Sequence, residues 1–221
     1  IASDTLLGAR ASHLSAGLGQ PLAAGDALLL GADKSRETGL QLPRDSRFDG
    51  GTVRVVASMQ TDHFTAEERQ RFETTAFTRD PRANRMGVRM DHDGTGFSAE
   101  GGLTILSEVI VPGDIQITGD GAPFVLMGEC QTTGGYPRIG TVIPRDLPRV
   151  AQAASGTAIQ FEFITLEDAI TLETQHRRDI KALGGQITPL IRDPAKIRNL
   201  LAYQLVGGAI SATDNPFEEE H

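Results

Sequence analysis

The residues with the clearest chemical potential form one short segment, QTTGGYPR at 131–138. Two adjacent glycines let a backbone turn tightly and bring its N–H groups close to a ligand. The other side chains supply neutral donors and acceptors, a stacking face and a forked cation. This set suits a small substrate with an amide and a carboxylate or phosphate, and an ordinary hairpin loop explains it equally well. The candidate residues are Gln131, Thr132, Thr133, Gly134, Gly135, Tyr136 and Arg138.

Further candidates lie upstream of this segment. Glu108 follows an apolar stretch and enters a turn, so it is a candidate general base or ligand of a substrate nitrogen, or simply an exposed strand end. Arg85 and Arg89 are predicted to share one face of a strand, where they hold an anion or form a solvated surface. Cys130 is predicted to be structural, because no neighbour lowers the pKa of its thiol and Glu129 raises it.

No metal site is predicted. The five histidines are scattered and show no HExxH or Cys/His spacing. The stretch DHDGTG at 91–96 lacks the spaced acidic residues and terminal Glu of a calcium loop, and we predict a turn there.

The elements that position these residues are mainly strands. Val53 and Val55 alternate with Arg54, and Ile159, Phe161 and Phe163 alternate with polar residues, which is typical of strands with one buried face. The apolar run 123–127, directly before the candidate loop, predicts a strand buried on both faces. A further strand is predicted at 27–30. Closely spaced Gly-rich turns favour a barrel or sandwich.

Helices are predicted at three places. Thr65 and Thr165 each begin a segment with the spacing of a helix start, and the glycines at 184–185 end the second helix. Asp193 is the predicted N-cap of a last helix, whose apolar stripe must pack against the barrel or a partner and indicates self-association. The resulting domain prediction is 1–50, 51–164 and 165–221. The stripe residues are Ile197, Leu200, Leu201 and Leu205.

Composition excludes several classes of protein. A net charge of −8 and a pI near 5.1 argue against a nucleic-acid surface, which needs clustered cations. The single cysteine excludes an intrachain disulfide and fits a reducing compartment. No apolar run is long enough to span a membrane, and the N-terminus does not have the pattern of a signal peptide. We therefore expect a cytoplasmic protein, and the absence of an initial Met indicates processing or truncation.

Several blocks of the sequence resemble the family of the 5-oxoprolinase C subunit, also called KipA-like, allophanate hydrolase subunit 2 or biotin-dependent carboxyltransferase proteins. The resemblance covers about residues 22–163 and implies cyclophilin-like β-barrels, as in one half of the carboxyltransferase domain of urea carboxylase. It therefore implies a mainly β chain: the remnant of a first barrel, one cyclophilin-like barrel, then C-terminal helices. The matching blocks are RMGVR at 85–89, residues 106–116, DGAP at 120–123, residues 131–143 and DLPRVAQ at 146–152.

The resemblance also implies an activity: ATP-dependent opening of 5-oxoproline to glutamate, by a complex with a KipI-like and a LamB/YcsF-like subunit. ATP with Mg would be the cofactor. We predict Glu108 and Gln131 as catalytic residues. Substrate would bind to Arg85, to residues 132–136 and to Arg138, and Arg138→Ala should remove turnover without affecting the fold. The chain, as a fragment of such a subunit, should be inactive alone.

Two alternatives remain open. The first is a carboxyltransferase component of a urea carboxylase or allophanate system, for which biotin must arrive on a separate partner, because the chain has no Ala-Met-Lys-Met-type attachment site. The second is a regulator that antagonises a KipI-like kinase inhibitor. That role would depend on the apolar stripe of the last helix and on the barrel surface, and not on the glycine loop.

Overall fold

A computed structural model describes residues 5, 8, 10–32, 34 and 38–190. The chain divides into two compact units, one of which is Leu42–Ile187. The structure contains eleven strands and three α-helices within the described residues. The strands are β1 (Leu40–Gln41), β2 (Gly51–Val56), β3 (Phe77–Arg79), β4 (Gly87–Asp91), β5 (Glu108–Val109), β6 (Asp114–Ile117), β7 (Pro123–Leu126), β8 (Thr133–Gly134), β9 (Arg138–Val142), β10 (Ala158–Phe163) and β11 (Thr188–Pro189). The helices are α1 (Ala66–Thr74), α2 (Leu147–Gln152) and α3 (Leu166–Ala182).

The other unit comprises residues up to Gln41 and from Thr188 onward. In its described part, β1 pairs antiparallel with β11, and a short 3-10 helix spans Leu14–Ala16. The prediction of a strand at 27–30 is wrong. Those residues have no regular secondary structure and no partner strand in the described part of the chain, and Leu30 is exposed. An apolar run forms a strand only where a neighbouring backbone completes its hydrogen bonds.

Seven strands of Leu42–Ile187 form a closed barrel in the order β10-β2-β9-β6-β7-β4-β3, with β3 returning to β10. Only the β10–β2 pair is parallel, and the other six pairs are antiparallel. The prediction of a mainly β protein with a barrel is therefore confirmed.

The period-two patterns place the core as predicted. Val53 and Val55 of β2 face inward, as do Ile159 and Phe161 of β10. Helix α1 closes the core by inserting Phe72 among other phenylalanine rings, with centroid distances of 4.9 to 6.2 Å. Each such ring buries a large apolar area, so the cluster is a main source of barrel stability.

The prediction of one strand that carries both Arg85 and Arg89 is wrong for Arg85. Val88 and Met90 are buried, but the strand begins at Gly87, and Met86 before it is 45% exposed. Arg85 therefore lies outside the strand and does not share a face with Arg89. Glycine is required at 87, because a Cβ there would lie 2.1 Å from the Phe124 ring on the neighbouring strand.

Both helix starts are confirmed. The Thr65 hydroxyl accepts from the N–H of Glu68, and the Thr165 hydroxyl accepts from the N–H of Asp168. Helix α3 ends at Ala182, and a short 3-10 turn, Leu183–Gln186, includes the two glycines predicted to stop it. The predicted last helix, with Asp193 and its apolar stripe, lies outside the described residues. The domain division also stays a prediction, although α3 belongs to the same compact unit as the barrel.

None of the described helices has the length and apolar character needed to cross a membrane.

Candidate functional site

The candidate loop is held by a small two-stranded sheet on the barrel. Strand β8 pairs antiparallel with β5, so that Glu108 lies opposite Gly134 and Val109 opposite Thr133. Backbone hydrogen bonds extend this pairing from Ile110 to Thr132 and from Ile105 to Gly135. We call residues 105–110 and 131–136 together the β5–β8 arm. The arm brings the predicted residue Glu108 beside the predicted glycines.

The two glycines of the loop serve a different purpose from the predicted tight turn. Neither is among the glycines with positive φ, and Gly134 is part of a strand. A Cβ on Gly134 would lie 2.4 Å from the Nε2 of Gln116 and 3.2 Å from the Ile110 side chain. Glycine is needed at 134 because the arm packs closely against the barrel wall.

Arg138, predicted to hold a substrate anion, is buried at the start of β9. Its Nε donates to Gln60 Oε1 at 3.2 Å, and its Nη1 donates to Val109 O at 2.9 Å and Asp114 Oδ2 at 3.2 Å. Its Nη2 donates to Glu108 Oε2 at 2.9 Å. At least four of its five N–H groups therefore have protein acceptors.

Asp114 is the buried counter-ion of this arginine. It is 2% exposed, and it also accepts from the N–H of Val111 at 3.0 Å and the hydroxyl of Thr141 at 2.7 Å. A buried charge pair is stable only when its remaining donors and acceptors are satisfied in this way. Arg138 therefore joins the arm to the barrel, and the expectation that Arg138→Ala would leave the fold intact is withdrawn.

Glu108 is positioned by the same network. Its Oε2 accepts from Gln60 Nε2 at 2.7 Å and from Arg138 Nη2 at 2.9 Å, and the side chain is 48% exposed. Within the described residues, both hydrogen bonds fall on one carboxylate oxygen. The other oxygen is left to accept from a water or a substrate N–H.

Gln131 and Tyr136 lie at a cavity of about 200 Å³ between the arm and the barrel. Its walls are mainly apolar, with polar groups from the arm and from β6 and the residue after it. The lining residues are Met86, Ile110, Gln116, Thr118, Phe124, Leu126, Cys130, Gln131 and Tyr136. The structure therefore brings two of the predicted loop residues to one concave surface. Thr132 and Thr133 are exposed on the arm.

Arg85 lies elsewhere. It forms an ion pair with Glu129, 3.1 Å from Nε to Oε2, and both lie at the wall of another cavity of about 550 Å³. Arg89, the other predicted anion ligand, pairs with Asp91 and Asp120. The structure does not bring either arginine to the cavity that Gln131 lines.

The thiol of Cys130 has a raised pKa, first because of burial and then because of the nearby Asp114 carboxylate. The direction agrees with the prediction, but Asp114 rather than Glu129 is the carboxylate responsible. A raised pKa disfavours the thiolate, so Cys130 is a poor nucleophile. No group of three His, Cys, Asp or Glu side chains in the described residues is arranged to hold a metal ion.

Sequence reasoning missed Gln60, Asp114 and Gln116. Gln60 precedes a 3-10 helix, Thr61–His63, and gave no signal of its own. Asp114 and Gln116 alternate with Ile115 and Ile117 on β6, which is a pattern typical of an exposed polar face. The two isoleucines are buried in the barrel core, and Asp114 and Gln116 are buried because the β5–β8 arm covers the outer face of that strand.

The chain matches the family model of the carboxyltransferase domain, subdomains A and B, over residues 1–163. The chain belongs to this family. It is 28% identical to the 5-oxoprolinase C subunit of Escherichia coli K12 over 186 residues, which are 82% of the chain and 59% of that relative. It is 32% identical to the 5-oxoprolinase C subunit of Haemophilus influenzae Rd over 124 residues, 56% of the chain and 40% of that relative.

Solved structures share the fold of this chain. The crystal structure of TTHA0988 superposes with a TM-score of 0.59 at 31% identity, over 72% of this chain and 31% of that one. The urea carboxylase of Kluyveromyces lactis superposes with a TM-score of 0.53 at 20% identity, over 66% of this chain and 14% of that one, and shares the fold. The chain thus spans only part of the length of the family members it matches.

Proposed function

We propose that this chain is a component of an ATP-dependent 5-oxoprolinase, a hydrolase that opens the cyclic amide of 5-oxoproline to give glutamate. The similarity to two proteins named as the C subunit of 5-oxoprolinase carries the proposal. The geometry supports it, because a held carboxylate lies on the same arm as a small cavity lined by amide and hydroxyl groups. These are the groups that a small lactam substrate requires.

Glu108 is the proposed general base. Gln60 and Arg138 hold one carboxylate oxygen, so the other is free to take a proton from the attacking water. The water oxygen then bonds to the lactam carbonyl carbon, the ring C–N bond breaks, and the nitrogen gains a proton. ATP would drive this opening, and a second water would be consumed as ATP is converted to ADP and phosphate. Gln131 and Tyr136 are proposed to bind the substrate at the cavity.

The described residues of the arm do not fit a triphosphate. Arg138, next to the arm, donates at least four N–H groups to protein acceptors, one of which is the negatively charged Glu108 carboxylate. The negative charges of Glu108 and a phosphate would repel each other at short distance. We therefore propose that ATP and Mg²⁺ bind mainly through another subunit, and that the partners are a KipI-like and a LamB/YcsF-like subunit in the cytoplasm.

The experiment is reconstitution. The protein that contains this chain is co-purified with the two proposed partners and assayed for glutamate released from 5-oxoproline with and without ATP. We expect release that requires ATP and all three components. An intact complex that releases no glutamate would overturn the proposal.

The role of Glu108 is tested in the same complex. Glu108→Gln keeps the shape of the side chain but removes the base, and we expect a loss of about 10²- to 10⁴-fold in turnover. Glu162→Gln, the same change at an exposed position of β10, is the matched control and should retain normal turnover. Equal turnover in the two variants would exclude Glu108 as the base.

The family description favours a second candidate, a carboxyltransferase component that accepts carboxybiotin from a separate partner. Under that alternative, the purified complex would contain a biotinylated protein and consume bicarbonate with ATP. The 5-oxoprolinase proposal predicts neither. The regulatory alternative, which depends on the barrel surface and on the apolar stripe beyond residue 190, stays a prediction.

A further inference from the structure

A buried amide nitrogen without a hydrogen-bond acceptor in the described residues lies in the wall of the small cavity. Gln116 is 6% exposed, and in the described part of the chain its Nε2 has no acceptor. The nitrogen lies under the arm, against the backbone of Gly134, and the side chain forms part of the cavity lining. Buried polar groups are nearly always paired, so this unpaired donor requires an explanation.

A ligand oxygen explains the unpaired donor. The terminal torsion of glutamine is soft, so the amide can turn toward the cavity without a change of the inner rotamers. A hydrogen-bond acceptor that enters the cavity would then pair with the Gln116 N–H group, which folding has already removed from water. Binding of a carbonyl oxygen is therefore favoured over binding of a purely apolar group.

The other walls narrow the class of ligand. Met86, Ile110, Phe124 and Leu126 give apolar surfaces, and no charged side chain among the described residues lines the cavity. The volume of about 200 Å³ corresponds to roughly seven water molecules. The interior therefore suits a small neutral ring with one carbonyl, and the exposed Gln131 and Tyr136 leave a polar opening for a carboxylate.

We propose that this cavity is the lactam subsite, in which the Gln116 amide donates to the ring carbonyl oxygen of a small cyclic amide. The inference rests on the proposed function for the identity of the ligand. It adds a residue and a place for the ring, beneath the β5–β8 arm and next to the strand that carries Glu108.

The single cysteine of the chain offers a direct footprint of this cavity. Cys130 lines it, so a bound ligand should slow alkylation of the thiol by iodoacetamide. The probes are 5-oxoproline, 2-pyrrolidone, which has the lactam ring without the carboxylate, and proline, which has the ring and carboxylate without the ring carbonyl. We expect protection by both lactams and none by proline. Equal protection by all three, or by none, would overturn the inference.

Variants locate the hydrogen bond. Gln116→Met keeps the length of the side chain. It should raise the concentration of 5-oxoproline needed for half-maximal protection about tenfold. Gln175→Met, the same change on the exposed face of α3, is the matched control, and 5-oxoproline should protect its Cys130 at the same concentration as in the natural sequence. If Gln116→Met does not fold, as judged by its melting curve, Gln131→Ala at the exposed rim should weaken protection by 5-oxoproline but not by 2-pyrrolidone.

This test is separable from that of the proposed function. Lactam protection of Cys130 without glutamate release by the reconstituted complex would contradict the function but not the subsite. Glutamate release with no protection of Cys130 at saturating 5-oxoproline would contradict the subsite but not the function.

Discussion

The buried ion pair between Arg138 and Asp114 allows a quantitative test of how the arm is held to the barrel. Arg138→Met keeps the aliphatic length but leaves Asp114 as a buried charge without its counter-ion, which typically costs about 3–5 kcal/mol. Asp114 retains its hydrogen bonds from the N–H of Val111 and the hydroxyl of Thr141. We therefore expect the lower end of that range, about 3 kcal/mol of unfolding free energy.

A double-mutant cycle isolates the pair. Asp114→Asn leaves Arg138 with the Glu108 carboxylate and the Val109 carbonyl, so we expect a loss of about 2 kcal/mol. The double variant should be less destabilised than the sum of the single variants by about 1–2 kcal/mol, because the two groups contact each other directly.

The assay is urea unfolding at pH 7, followed by circular dichroism. Arg69→Met is the matched control, since Arg69 pairs with Asp62, whose side chain is 96% exposed, and should cost less than about 1 kcal/mol. The reasoning is refuted if Arg138→Met costs no more than this control, or if the cycle is additive to within about 0.5 kcal/mol.

Two further predictions concern unfolding free energies of single variants. Gly134→Ala would place a Cβ 3.2 Å from the Ile110 side chain and would force the Gln116 amide to turn away, so it should cost about 1 kcal/mol, whereas Gly128→Ala, in open space, should change little. Asp120 has a lowered pKa because of a hydroxyl hydrogen bond within its turn and then Arg89, so it stabilises the fold above about pH 4. Asp120→Asn should therefore lower the unfolding free energy by less than about 1 kcal/mol at pH 7. The difference in unfolding free energy between the variant and the natural sequence should shrink as the pH falls below about 4.

The sequence predicted those parts of the fold that depend on local patterns. Alternation in β2 and β10 identified strands of the barrel, and Thr65 and Thr165 identified the starts of α1 and α3. Each of these signals lies within a few residues, because strand alternation and helix capping are local effects. These patterns and the glycine-rich turns favoured a barrel or a sandwich, and the family resemblance favoured the barrel.

The candidate site was less predictable, because it depends on contacts between distant parts of the chain. Gln60 lies 78 residues from Arg138, and its side-chain oxygen accepts from the Arg138 backbone. Asp114 lies 24 residues away, on a strand whose polar face resembles a solvated one. An arginine near a glycine pair suggests an anion site in sequence, and only the folded chain reveals that protein acceptors already occupy its donors.

The most direct test of the central proposal is omission of the protein that contains this chain from the reconstituted assay. The complete complex should release glutamate from 5-oxoproline in proportion to ATP consumed, and the mixture without that protein should release none. Glutamate release at the same rate in its absence would contradict the account.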